Sequence, residues 1–188
     1  MDGTFDGDGA IIQRGDFLWT DFGINYAGMH TDMQHMGYVL DVEAGEISPP
    51  EGLVAGLRKT NRMQDLILQE MQQGRTGNEV LAKFVDRMVA EDIDGVMYSH
   101  PIGDHGHAAG PIVGLFDLNN KSVPVLGDTT VLRSEMWYAV ELCAYANVPE
   151  WGGQRVHFRQ EENAVIGDSA DGSNHFAFRR QEAFHLVV

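Results

Sequence analysis

Apolar residues between positions 49 and 93 recur every three or four residues, a spacing that predicts two amphipathic helices. We expect the first helix to span residues 49–73, because proline suits a first helical turn and Gly74 can end a helix. Ser48 and Glu51 match the pattern of a capping box at its start. Its buried face would carry Leu53, Leu57, Met63, Ile67 and Met71.

A second capping box, Thr76 with Glu79, predicts a helix that reaches about Ile93. Before the helices, aromatic and branched residues at 17–20 and an extended pattern at 29–40, with a glycine-containing turn between them, predict a β-hairpin. After the helices, short extended segments separated by glycines predict more strands, at 96–99, 112–116, 122–126, 135–145, 155–165 and 176–188. Two helices among many strands indicate an α+β fold.

The composition fits a single domain over residues 1–188, with 43% hydrophobic and 22% charged residues. The formal charge of −15 disfavours nucleic acid as a partner and favours cations. No apolar run approaches the ~18 residues of a membrane span, so we expect no membrane partner. Cys143 is the single cysteine and excludes an internal disulfide. The compartment is undetermined, and the absence of a signal-peptide pattern at the start favours the cytoplasm.

Two acidic residues on the predicted hairpin are the first candidates for function. Asp21 precedes the turn and Asp32 follows it, so neighbouring strands would bring the two carboxylates together, as in many metal sites. His30 and Asp32 would share one side of their strand, because side chains alternate with period two. Aspartate near a turn more often bonds the backbone, so the pair alone is weak support for a metal site.

Further candidate ligands follow in the second half of the chain. Residues 100–111 hold three histidines, in a segment that we expect to connect two strands and that could equally be an exposed turn. Glu141 lies in an apolar strand, where an unpaired anion is costly to bury. Glu161 is followed by Glu162, and adjacent carboxylates repel unless a cation or the strand twist separates them. One of these histidines, together with Asp21, Asp32, Glu141 and Glu161, would form an oxygen-rich set with a single nitrogen donor, which suits two divalent ions.

In this order the motifs resemble those of the pita-bread metallopeptidases, the family of methionine aminopeptidase, aminopeptidase P and prolidase. The resemblance covers most of the chain and implies the pita-bread fold, a curved antiparallel sheet covered by helices. Five segments carry it: GDFLWTDFG at 15–23, HTDM at 30–33, HPIG at 100–103, MWYAVEL at 136–142 and EWGGQRVHFRQEENAVI at 150–166.

The resemblance implies a ligand set for two divalent metal ions, manganese, cobalt, zinc or iron. Asp21 would bind one ion, Asp32 and Glu161 would bridge both, and His100 and Glu141 would complete the second. His107 lies seven residues after His100, as the family's substrate-facing histidine does after its metal-binding histidine. That spacing favours His100 as the ligand, with His105 as the alternative.

The implied function is hydrolysis of the N-terminal peptide bond of a peptide substrate, of the Xaa-Pro aminopeptidase or prolidase type, by a metal-bridging hydroxide. His107 and Glu141 would be the catalytic residues, His107 donating to the oxyanion and Glu141 moving a proton to the leaving amine. Two other functions remain open. One is a non-catalytic binding module or truncated inactive homologue, and the other is a metal-free, creatinase-like hydrolase.

The sequence departs from the family pattern in three places. Pro101 replaces a usual glycine of the histidine motif, and Leu142 stands where proline commonly follows the glutamate. Few residues precede Asp21, where the family normally has a helical and strand segment, so we expect the domain to lack its N-terminal part. A homodimer or a separate chain could supply the missing walls.

Overall fold

The computed structural model describes residues 11–103, 105–116, 130–167 and 172–188. Within these ranges there are two helices, α1 (Glu51–Glu70) and α2 (Gly77–Ala90). The strands are β1 (Phe17–Phe22), β2 (Asn25–Tyr26), β3 (Met29–His30), β4 (Met33–Val39), β5 (Gly95–Pro101), β6 (Val113–Phe116), β7 (Met136–Val148), β8 (Gln154–Ile166), β9 (His175–Phe176) and β10 (His185–Val187). The strand predicted at 122–126 lies outside the described residues.

Eight of the strands form one sheet in the order β1-β4-β8-β7-β5-β6, with β10 added to β4 and β9 to β8. All pairings in it are antiparallel except that of β10 with β4. The centre is the β7–β8 pair, which stays in register from Met136–Ile166 to Val148–Gln154. Helix α1 packs across β7 and β8, and α2 packs against α1 and β6. The α+β prediction is confirmed.

Helix α1 lies close to β8 because Gly56 has no side chain at the contact. A Cβ at this position would collide with the ring of Phe158, which is fully buried. Phe17 of β1 meets the same ring edge-on, with ring centroids 5.7 Å apart. The helix therefore fixes the position of β8, and with it the side chains on the opposite face of the strand.

The predicted capping box of α1 is wrong. Pro50 is the N-cap residue and makes no side-chain capping bond, and the Gly52 amide of the first turn donates instead to the Glu150 carboxylate at 3.2 Å. The helix begins at Glu51 itself, so this carboxylate cannot lie at the third helical position and instead pairs with Arg58 at 2.8 Å. The capping box of Thr76 and Glu79 in α2 is confirmed.

Both helices end earlier than predicted. Helix α1 stops at Glu70 and not at residue 73, because the side-chain amide of Asn174 donates to the carbonyl oxygens of Leu68 (2.6 Å) and Met71 (2.7 Å). Helix α2 stops at Ala90 rather than Ile93, and Asp92 takes a positive φ of 52° in the turn that follows.

Two strand predictions are also wrong in ways that affect the candidate ligands. Residues 29–40 do not form one strand: β3 ends at His30 and β4 begins at Met33, so Asp32 lies in the break between them. The Thr31 amide donates to the Ile24 carbonyl across this break. Strand β5 extends to Pro101, which places His100 on a strand rather than in a connection.

The two capping sequences give a matched test of helix stability. We expect Thr76→Ala to lower the free energy of unfolding by about 1 kcal/mol, because it leaves the Glu79 amide without its acceptor. Ser48→Ala should leave the free energy unchanged, since Ser48 is exposed and caps nothing. Urea denaturation of both variants measures the difference, and equal effects would contradict the assignment.

Candidate metal centre

A single row of side chains crosses five strands of the sheet and forms the base of the candidate site. The register pairs Asp21 of β1 with Gln34 of β4, Gln34 with Glu161 of β8, Glu161 with Glu141 of β7, and Glu141 with Tyr98 of β5. Neighbours in such a row lie close enough for their side chains to interact. Three of the five predicted ligands are thus brought together by strand pairing alone.

The remaining two predicted ligands reach the same point from beside the row. His100 pairs with Ala139, one step along the face from Glu141, and is 1% exposed. Asp32 lies in the break before β4, where the side-chain amide of Asn163 donates to its backbone oxygen. Because Asn163 is two residues after Glu161 on β8, it holds Asp32 over the face that carries Glu161.

The five side chains converge in overlapping groups. Ligand atoms of Asp21, Asp32 and Glu161 lie within 4.8 Å of one another, and so do those of His100, Glu141 and Glu161. His100 Nε2 is 3.7 Å from Glu161 Oε1 and 3.8 Å from Asp32 Oδ2. These separations are too long for hydrogen bonds. These distances leave space between His100 Nε2 and the carboxylate oxygens. Glu161 belongs to both of the groups named above.

Among the five candidate ligands, two buried side-chain atoms have no hydrogen-bond partner within the described residues: His100 Nε2 and Glu161 Oε1. The other ring nitrogen of His100 lies 3.2 Å from the Pro101 carbonyl oxygen, which accepts a hydrogen bond only if Nδ1 carries the proton. Nε2 then presents a lone pair toward carboxylate oxygens. Unpaired buried polar atoms are costly, and a divalent cation would satisfy both. The donor set therefore fits a metal ion.

The charges of the site perturb the pKa values of its members. Burial raises the pKa of Glu161 to about 7, with Asp32 and Glu141 adding to the rise and His100 opposing it. Burial also raises the pKa of Asp32, against the influence of His100 and His107. Burial alone would lower the pKa of His100, but Glu161, the Pro101 carbonyl and Asp32 outweigh it and the pKa is raised. The site thus favours neutral carboxyl groups or added positive charge.

Glu161 and Glu162 do not share a site. They point to opposite faces of β8, as the alternation of a strand requires. Glu162 is buried on the opposite face, where its Oε1 accepts a hydrogen bond from the backbone amide of Gln181 (2.7 Å). The same oxygen lies 3.2 Å from His35 Nε2. The strand separates the two charges, so the expectation of a shared cation does not extend to Glu162.

The two candidate histidines beyond His100 lie in different places. His107 stacks on His100 with ring centroids 3.9 Å apart, and its Nε2 is 3.1 Å from Asp32 Oδ2. Its side chain is 61% exposed, so it faces the solvent side of the cluster. His105 is near His30, with ring centroids 6.2 Å apart, and belongs to none of the potential metal-binding groups among the described residues.

A pocket of about 500 Å³ is lined by residues that adjoin the cluster in sequence. Pro101 follows His100, and Ala108 follows His107. Trp137 lies on the same face of β7 as Glu141, four residues away. With Ile102 these residues give the pocket a mainly apolar wall.

The sequence alone did not identify the residues that hold the ligands in place. Gln34 donates to both Glu141 and Glu161, Trp19 donates to Gln34, and Asn163 holds Asp32. A usable signal existed for two of them. Gln34 and Asn163 stand two residues after Asp32 and Glu161, a spacing that could place polar side chains on the same face of a strand as a ligand.

Metallopeptidase family M24 matches residues 3–165 of the chain. Among solved structures, X-Pro aminopeptidase from Thermotoga maritima has a TM-score of 0.64 and 19% identity, and the match covers 94% of this chain and 43% of that one. A dipeptidase from Pyrococcus horikoshii also has a TM-score of 0.64, with 14% identity and 99% and 45% coverage. Methionine aminopeptidase from Rickettsia prowazekii has a TM-score of 0.58, with 14% identity and 88% and 65% coverage.

No curated protein matches the sequence. The chain spans less than half the length of the X-Pro aminopeptidase and of the dipeptidase. Among the described residues, no helix has the length and apolar character needed to cross a membrane. The pita-bread fold inferred from the five sequence motifs is confirmed by these structural matches. With most of its length matched and its fold shared, the chain belongs to metallopeptidase family M24.

Proposed function

We propose that the protein is a dinuclear metal-dependent peptidase that hydrolyses the N-terminal peptide bond of peptides, of the Xaa-Pro aminopeptidase or prolidase type. The observation that carries the proposal is the pair of buried, unpaired atoms, His100 Nε2 and Glu161 Oε1, among converging carboxylates. Asp21, Asp32 and Glu161 would hold one ion, and His100, Glu141 and Glu161, with Asp32, the other. Manganese, cobalt, zinc and iron all accept such mixed oxygen and nitrogen ligands.

Bound divalent ions would supply an acidified water molecule and polarise the scissile carbonyl. Glu141 is half-buried at the site and, as a carboxylate, can take a proton and pass it to the leaving amine. His107 is exposed on the open side of the cluster and can donate to the developing oxyanion. A substrate oxyanion would compete with Asp32 Oδ2 for the N–H of His107, because that oxygen lies 3.1 Å from His107 Nε2.

The pocket beside the cluster supports a substrate with an apolar residue near the scissile bond. Its walls of Pro101, Ile102 and Trp137 offer apolar contacts to a proline ring or an aliphatic side chain. The X-Pro aminopeptidase and prolidase structures among the matches agree with this preference.

Metal content is the first test. After reconstitution with manganese or cobalt and gel filtration, we expect two ions per chain, because two groups of ligands share Glu161. Glu161→Gln should reduce the content below one ion. Glu162→Gln is the matched control: the adjacent carboxylate faces away from the cluster, so its loss should leave two ions bound. A wild-type protein without metal would refute the proposal.

Peptide hydrolysis is the second test. Xaa-Pro dipeptides should be cleaved in preference to Met-Ala-type peptides, and Asp32→Ala should abolish cleavage. His107→Ala should reduce kcat about 10²–10³-fold, the usual effect of losing an oxyanion donor, while metal content stays unchanged. Undiminished activity in Asp32→Ala would show that the ligand assignment is wrong. Hydrolysis that persists in EDTA would favour the metal-free hydrolase, and no hydrolysis despite bound metal the non-catalytic module.

The raised pKa of Glu161 predicts how the stability of the metal-free protein depends on pH. A carboxyl group with a higher pKa in the folded state favours folding below its unfolded value of 4.5, and this contribution is lost as the pH rises through about 7. The raised pKa values of Asp32 and His100 act in the same direction. The loss for Glu161 is on the order of 3 kcal/mol.

Urea denaturation in EDTA at pH 5 and pH 8 measures this contribution. Other ionisable groups also contribute to the pH dependence of stability, so the quantity of interest is the difference between the wild type and Glu161→Gln. We expect Glu161→Gln to gain stability relative to the wild type as the pH rises from 5 to 8. Equal pH dependence in wild type and Glu161→Gln would contradict the charge assignment.

A further inference from the structure

Gln34 makes hydrogen bonds through both polar atoms of its side chain. Its partners are the candidate ligands Glu141 and Glu161, and Trp19. Gln34 is 2% exposed. Its Nε2 donates to Glu141 Oε1 and to Glu161 Oε2, both at 2.9 Å. Its Oε1 accepts from the indole Nε1 of Trp19 at 3.0 Å. An indole N–H can only donate, so this bond fixes which end of the Gln34 amide faces the carboxylates.

The two carboxylates that Gln34 joins stand directly opposite each other on β7 and β8. Like charges in such a cross-strand pair repel, and nothing in the strand pairing alone sets the rotamers of the two side chains. The single NH₂ group of Gln34 donates to one oxygen of each, in two charge-assisted bonds. It adds no charge, so it lowers the repulsion without competing for a cation.

The bonds of Gln34 also determine which carboxylate oxygens face the centre. Glu161 uses Oε2 for Gln34, which leaves Oε1 turned toward His100 Nε2, 3.7 Å away and without a hydrogen-bond partner. Glu141 likewise uses Oε1 for Gln34, which leaves its other oxygen uncommitted to this amide. The amide therefore engages one oxygen of each ligand.

Trp19 is itself held in place from β8. The guanidinium of Arg159 lies over the Trp19 ring, 5.3 Å from its centroid, and Arg159 is two residues before Glu161 on the same strand. The chain of contacts thus runs from β8 through Trp19 and Gln34 back to Glu161, across strands β1 and β4. A closed chain of this kind restricts the rotation of Gln34.

We infer that Gln34, oriented by Trp19, is a positioning residue that presents Glu141 and Glu161 to the metal ions through one preset oxygen each. The inference rests on the proposed function, because it concerns the ligands of that centre. Partners of this type around metal ligands commonly change metal affinity 10–100-fold when they are removed. Gln34 acts through the two glutamates and touches no substrate in this role.

Gln34→Met tests the inference, because methionine has a similar length and lacks the amide donor. Titration of the metal-free protein with Mn²⁺ in a calorimeter should show the ion held by Glu141 and Glu161 binding about 10–100-fold more weakly. The visible absorption of the Co²⁺-loaded protein should change, because the ligand geometry changes. The matched control is Gln160→Met. Gln160 is also a buried glutamine, but it lies on β8.

Gln160 bonds to Thr60 and the Gln181 carbonyl on the helix side of the sheet, away from the ligands. Its replacement should lower stability and leave Mn²⁺ affinity and the Co²⁺ spectrum unchanged. A merely structural role for Gln34 would give this same pattern in Gln34→Met, and that result would overturn the inference. It would leave the proposed function intact, whereas a wild-type protein that binds no Mn²⁺ would end both.

Trp19→Phe completes the test by a double-mutant cycle. Phenylalanine keeps an aromatic ring under Arg159 and removes the indole N–H. We expect a smaller loss of Mn²⁺ affinity in this variant, and no additional loss when it is combined with Gln34→Met. Additive losses would show that Trp19 does not act through Gln34. If Gln34→Met does not fold, Trp19→Phe alone decides, and unchanged affinity in it would overturn the inference.

Discussion

The opposition of Glu141 and Glu161 across the two central strands is the constraint on which the site depends. Two carboxylates in register on β7 and β8, one of them fully buried, repel each other and lose hydration. The unpaired oxygen of Glu161 beside the unpaired nitrogen of His100 shows that side chains of the described residues do not fully compensate this cost. Cations between these groups would convert this unfavourable contact into a favourable one.

The rest of the fold keeps that opposition in place. Helix α1 fixes β8 through the close contact of Gly56 with Phe158, on the face opposite to Glu161. The thirteen-residue β7–β8 pairing prevents a slip in register, which would turn the glutamates to different faces. The break between β3 and β4 brings Asp32 over the row from the side. Rigid strands thus supply most ligands, while the ligand Asp32 and the substrate-facing His107 come from irregular segments where adjustment is easier.

Sequence reasoning predicted what depends on local spacing and missed what depends on distant partners. The capping box of Thr76 and Glu79 could be predicted because its partners are three residues apart. The same pattern at Ser48 gave a wrong prediction because the helix begins after Pro50. The early end of α1 depends on Asn174, a hundred residues away.

The candidate ligands follow the same rule. Their identity came from five motifs in order, but sequence could not show that the break at Asp32 interrupts the hairpin or that His100 lies on a strand. Nor could it show that Gln34 pairs with Glu161, because register between strands 127 residues apart is a tertiary property. Period-two spacing marks a side chain as facing the site, and only the fold shows what it contacts.

Anomalous diffraction from crystals soaked in Mn²⁺ would test for the dinuclear centre without relying on activity, because it locates the ions themselves. We expect two peaks, one bounded by Asp21, Asp32 and Glu161 and the other by His100, Glu141 and Glu161. Gln34 should remain hydrogen-bonded to both glutamates and not to an ion. No peak at these ligands, or a peak held by His30 and His105 instead, would contradict the dinuclear centre.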